Sequence, residues 1–284
     1  MREPPAALVA PRIPEPGAVG RDSWGWAFSL GRGVYGLAIL ASGVLQLVTG
    51  AFVRLVPAPP TWTPPRPAWA YLVGAVLLAC GLAVLFGWMA RTAATVVGAM
   101  ILLLVAAVYP PSMLADPRID TPLLRGFMYT NPLKCLALIG GAAVLAARFP
   151  DRPHTFSAVG RGIGRLEPIA AALLAAFLAV CGIQHFWYSA FVKDLVPAWI
   201  PGGQLSWTYF TGVALFAGGV GILVPRTARL AAALSALMIF LWVLLLHIPR
   251  AVAGPEHRFE TAGAFEALAL SGVALLMAAR STRR

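Results

Sequence analysis

Apolar residues come in long blocks in this chain, separated by short runs that carry the charges and many of the prolines. The blocks lie at 31–53, 68–89, 92–109, 131–148, 167–192, 206–224, 227–248 and 262–279. Each is close to the roughly 20 residues a helix needs to cross a bilayer. The fourth and eighth are short, but they hold few charges and strong helix formers. In lipid a backbone must satisfy its own hydrogen bonds, so the pattern predicts eight helices rather than strands.

The pattern also repeats. VYGLAILASGVLQLVTGAFVRLVP (34–57) aligns with the segment ending GIQHFWYSAFVKDLVP (182–197), with Asp194 as an inserted residue. WAYLVGAVLLACG (69–81) aligns with WTYFTGVALFAGG (207–219), so that Trp69/Trp207, Tyr71/Tyr209, Gly74/Gly212 and Gly81/Gly219 coincide. An Arg-Thr pair opens each following helix, at 91–92 and 226–227, and LKCLALIGGAAVLAAR (133–148) matches FEALALSGVALLMAAR (265–280) without a gap. A unit of four helices used twice is therefore expected. Four spans return the chain to its starting side, so the two units should be parallel, related by an axis along the membrane normal. The glycine pairs, seven residues apart, should let neighbouring backbones approach closely.

Composition agrees with the blocks. The 284 residues are 59% hydrophobic and 12% charged, and the mean hydropathy is +0.78, far from a soluble domain with about one-quarter charged residues. The net charge of +11 does not point to nucleic acid, because the arginines lie between apolar blocks. Fourteen of the 22 basic residues, Arg32, Arg91, Arg148, Arg226 and Arg280 among them, fall on the side of the N-terminus. By the positive-inside rule both termini are expected to be cytoplasmic. Trp187, Tyr188, Trp199 and Trp207 should then form an aromatic belt at the outer interface. Cys80, Cys135 and Cys181 lie within apolar blocks and form no C-x-x-C pair, which points to packing rather than thiol chemistry. The expected organisation is a Pro-rich cytoplasmic tail at 1–30, a first unit at 31–148, a cytoplasmic linker at 149–166, a second unit at 167–280 and a tail at 281–284.

Four stretches in order, GIQHFWYSAFVKDLVPAWIP, WTYFTGVALFAGGVGIL, LLLHIPRA and FEALALSG, resemble the DoxX family of bacterial membrane proteins. The run from Lys134 to Gly141 is similar to the last helix of that family. The resemblance covers nearly the whole second half and, more weakly, the first. It implies a four-helix membrane fold, here duplicated. A few such proteins serve as subunits of thiosulfate:quinone oxidoreductase or are linked to membrane redox assemblies, so a quinone and a redox partner subunit enter as expectations. The resemblance carries no catalytic residue set.

Ionisable groups inside spans cost roughly 2.5–3.5 kcal/mol each on insertion scales, so each requires a reason. The alignment places His185 opposite Gln46, His247 opposite Val108, Glu260 opposite Met128 and Glu266 opposite Lys134. The second unit thus holds two histidines and two carboxylates where the first holds an amide and an ammonium. We expect a polar site there, formed by His185, His247, Glu260 and Glu266 with Gln184 beside them, all at similar depth in the outer leaflet. It would be a structural network, a site for a quinone or small solute, or a metal site. The spacing offers no H-x-x-E or H-x-x-x-H pair on one helix face, and no metal is assigned. No cofactor is evident beyond a quinone. Lys134 and Glu266 hold equivalent places and would form an intramembrane ion pair if their helices flank the axis. Arg54, Lys193, Asp194 and Arg250 are expected at the aqueous boundary, as solvated groups or lipid contacts. The chain has no phosphate-binding glycine loop, haem-attachment motif or triad order. The expected function is a membrane component of a quinone-linked process. A carrier for a small or hydrophobic solute and a non-catalytic assembly subunit are the alternatives.

Overall fold

A computed structural model describes residues 24–58, 63, 66–115, 122–149, 157–254 and 258–280. Among these the fold is all α, with no strand. The helices are α1 (Gly25–Thr49), α2 (Arg66–Phe86), α3 (Ala90–Ala115), α4 (Pro122–Arg148), α5 (Ser157–Gly164), α6 (Ala170–Trp187), α7 (Ser189–Lys193), α8 (Gln204–Leu223), α9 (Ala228–Trp242), α10 (Ile248–Ala253) and α11 (Arg258–Ala278). A 3₁₀ turn at Glu167–Ile169 joins α5 to α6, and a π-helical turn at Val243–His247 joins α9 to α10. Counting these joined pieces as single rods, eight helices are long and apolar enough to cross a membrane. The protein is a multi-pass membrane protein. The first rod begins at Gly25 and the fifth at Ala158, inside the stretches expected as tail and linker. The rest of the expected tails (1–23 and 281–284) and residues 150–156 of the linker lie outside the described residues.

Glycines draw α1 onto α2 and α6 onto α8. A Cβ on Gly182 would sit 2.7 Å from the Gly212 carbonyl oxygen, and one on Gly219 would sit 2.7 Å from that of Ala175. Gly43 and Gly74 meet in the same way on α1 and α2. The expected role of these glycines, close backbone approach, is the one they have.

The rods close into a ring through both halves. Helix α2 packs on α3 and α3 on α4, as α8 packs on α9 and α9 on α11. The ring is completed across the halves, with α4 against α6 and α11 against α1. Within the first half, α1 reaches α4 through Tyr35, whose buried hydroxyl donates to the Leu138 carbonyl at 3.0 Å. The two last helices fill the middle. In α4 and α11, 72% of the spanning window is buried, against 39% or less in the other six. They run in the same direction, since Lys134 meets Glu266, Gly141 faces Val273 and Arg148 bonds to Ala279.

The arginine-rich end has a structural use for its charges. Arg32 donates to the carbonyls of Val84 and Leu85, Arg91 to Phe149, Arg148 to Ala279 and Arg229 to Arg280. These are carbonyls at helix C-termini, where orphan acceptors and the helix dipole both favour a cation. Arg280 also pairs with Glu167 at 2.6 Å.

Candidate functional site

At the opposite end, the second half forms a partly open inner chamber of about 240 Å³ between α6, α8, α9 and α11. Its walls are mostly apolar, with Leu178, Leu215, Met238 and Trp242 among them, and its polar groups are His185, His247, Thr208 and Thr211. His185 reaches it from the last turn of α6. The His185 Nδ1 lies 2.7 Å from the carbonyl oxygen of Cys181 one turn back. A carbonyl can only accept, so Nδ1 carries the proton and Nε2 of the neutral ring is left as an acceptor. Thr208 spends its hydroxyl on Gln204 of its own helix at 2.9 Å. The Thr211 hydroxyl is buried without a hydrogen-bond partner.

His247 enters from the other side, and local backbone irregularity places it there. Pro249 has no N–H to give to the turn before it, and its ring crowds that turn's carbonyl. The chain answers with a π turn, in which Ile248 N–H bonds to Val243 five residues back. Single π turns of this kind commonly mark functional positions. The His247 ring then lies against Gly263 of α11, where an added Cβ would come within 3.4 Å of Nδ1. This Nδ1 is buried and has no hydrogen-bond partner.

Beyond His247 lies an outer chamber of about 420 Å³. Its lining includes Arg54, Arg250, Glu260 and Glu266, with Phe127, Phe191 and Phe259. The chambers adjoin, sharing His247, Leu195, Leu246, Ala267 and Leu270. Arg250 pairs with Glu260 at 2.7 Å. Lys134 Nζ lies 3.1 Å from Glu266 Oε2 and donates to the Arg54 carbonyl at 3.0 Å. Its approach to Glu266 is too oblique for a hydrogen bond, so the attraction there is between charges. Arg54 Nε stands 3.8 Å from the same carboxylate oxygen, while its guanidinium lies over the Phe259 ring at 4.1 Å.

Of the residues singled out from the sequence, His185 and His247 share the inner chamber, and His247, Glu260 and Glu266 share the outer one. The four do not form one cluster: neither carboxylate lines the chamber that His185 lines. Glu260 lies in the first turn of α11 rather than in a loop before it. Gln184 lines neither chamber. One residue along the helix from His185 is a turn of about 100°, and this carries Gln184 to α4, where it meets Thr130 at 2.8 Å and Gly126 at 3.3 Å. Arg54 and Arg250, expected as boundary charges, are partly exposed and also line the outer chamber. No group of three or more His, Cys, Asp or Glu side chains could hold a metal ion among the described residues. Lys134 and Glu266 do meet, because α4 and α11 lie in parallel register.

The matching place in the first half is closed. Gln46 is fully buried, donates to the Ala70 carbonyl at 2.8 Å and accepts from Val53 N–H at 3.3 Å. The amide thus serves backbone groups on both sides, where His185 serves one and keeps a free nitrogen.

Residues 174–283 match a family model described as a domain of unknown function, DUF8561. The match spans His185, His247, Glu260 and Glu266. No curated protein and no solved structure matches the chain.

Proposed function

We propose that the second half is a bilayer-embedded binding site for a quinone-type molecule, and that the protein is a membrane component of a quinone-linked redox process. One observation carries this reading: an apolar chamber with an imidazole at each side, one with an acceptor nitrogen free of its own helix and the other with a buried nitrogen lacking any partner. A flat apolar ring bearing two oxygens suits such walls, since an acceptor nitrogen serves a quinol hydroxyl and a donor nitrogen a quinone carbonyl. The resemblance to the DoxX family, as a duplicated four-helix unit, agrees with this assignment. So does placement in a bacterial cytoplasmic membrane with both termini inside, which puts the chambers toward the outer leaflet.

The test is equilibrium binding of decylubiquinone and its quinol to the full chain in lipid nanodiscs. Saturable binding is expected, weakened at least about tenfold by His247→Leu, the loss of roughly one charge-free hydrogen bond in a largely apolar site. His185→Gln should also weaken it while leaving thermal stability unchanged, since Gln46 holds the matching place in the first half. Absence of saturable binding to the unaltered chain would overturn the reading. The continuity of the two chambers favours a second reading, a carrier for a small amphipathic solute, which flux into protein-loaded liposomes without quinone binding would select.

A further inference from the structure

The outer chamber has a charge balance that the quinone reading does not use. Glu260 is held by Arg250 at 2.7 Å and Glu266 by Lys134 at 3.1 Å. Arg54 is left with a distant claim, 3.8 Å, on a carboxylate that is already paired. Among the described residues, Lys134 behind the wall, Arg54 and Arg250 thus share two carboxylates, and Arg54 at the chamber wall is the cation with the weakest claim. Arg250 Nε and His247 Nδ1 are buried in the same chamber with no hydrogen-bond partner, as is Glu266 Oε2 on the side of Lys134. Both arginine side chains are only about one-third exposed, 32% for Arg54 and 33% for Arg250, so an anion entering the chamber would meet them with part of their hydration already removed. The Arg54 guanidinium is kept in place by the Phe259 ring at 4.1 Å. Phe127 and Phe191, edge to face at 6.0 Å, add an apolar wall to the same chamber.

We propose that the outer chamber is an anion-binding vestibule for the head group of an amphipathic acid. A carboxylate or phosphate monoester would bind between Arg54 and Arg250, with His247 beside it and the hydrocarbon part directed into the inner chamber. The first half supplies Arg54 and Phe127, so the vestibule is composite: the half with the closed counterpart contributes the binding cation. The chemistry is the same whether the acid is a free amphiphile or a lipid of the surrounding leaflet, and the experiment separates the two sources.

The probe is undecanoic acid carrying a dansyl group at its far end, with its methyl ester as the uncharged control, titrated into the full chain in phosphatidylcholine nanodiscs. The acid is expected to bind saturably and the ester at least about tenfold more weakly, as befits loss of a charge-assisted contact. Arg54→Gln should loosen the acid by a similar factor and leave decylubiquinone unaffected, whereas Arg226→Gln at the other end should change neither. Displacement of the acid when phosphatidic acid replaces part of the phosphatidylcholine identifies a bilayer lipid as the source. Undiminished binding in that bilayer identifies a free acid. Equal binding of acid and ester overturns the proposal, and this comparison needs no variant to fold. Acid binding without quinone binding would instead remove the reading of the preceding section and leave this one standing.

Discussion

Lys134 is 4% exposed in the middle of an eight-helix membrane protein and stays there because Glu266 and the Arg54 carbonyl meet it. Removing one member of a buried pair leaves the other charge uncompensated, which typically costs 3–5 kcal/mol, whereas removing both is often close to neutral. Lys134→Met should therefore lower stability by about 3 kcal/mol, at the low end because Arg54 is within 3.8 Å of the stranded carboxylate. Lys134→Met with Glu266→Met should recover most of that loss in detergent unfolding. A double variant as unstable as the single would show that the pair is incidental. This pair was legible in the sequence because ungapped alignment set the two residues at equal heights. The separation of Gln184 from His185 was not, since the direction of a side chain depends on which neighbours surround its helix. The place of Arg54 in the outer chamber was not legible either, because it lies in one half and lines a chamber of the other.

At the scale of elements, the eight blocks and the glycine-lined contacts follow from composition and spacing alone. The π turn does not. Pro110 occupies the place of Pro249 in the first half, yet α3 passes through it as a regular α-helix. A proline removes a donor in both cases, and only the surrounding packing decides how the helix accommodates it. Pro249→Ala restores that donor and should let α9 and α10 join as one regular helix, turning His247 by about 100° relative to the residues before it. We expect unchanged or raised thermal stability together with weakened decylubiquinone binding. Lost stability with full binding would mean that the π turn is held by packing and not by the proline.

For the whole molecule, the charge pattern along the chain and the arginine caps at one end concern the same residues. If those caps face the cytoplasm, a cysteine at Gly203 should react with an impermeant maleimide from outside, and one at Arg226 should react only after permeabilisation. The three native cysteines would be replaced by alanine for this labelling. The reverse pattern would invert the proposed orientation and put the chambers on the other side. The way the two halves close on each other was beyond the reach of alignment. Because α4 and α11 are copies in sequence, alignment cannot say which of them α1 packs against, and the structure has α1 against α11. That exchange bears on how the protein is made. As the chain leaves the ribosome, the first helix enters the membrane with its largest distant partner still untranslated, and it must wait through six more insertions before α11 arrives. Helix α1 can pack on α2 as soon as that helix follows it, but its contact with α11 can form only after the six intervening spans are made.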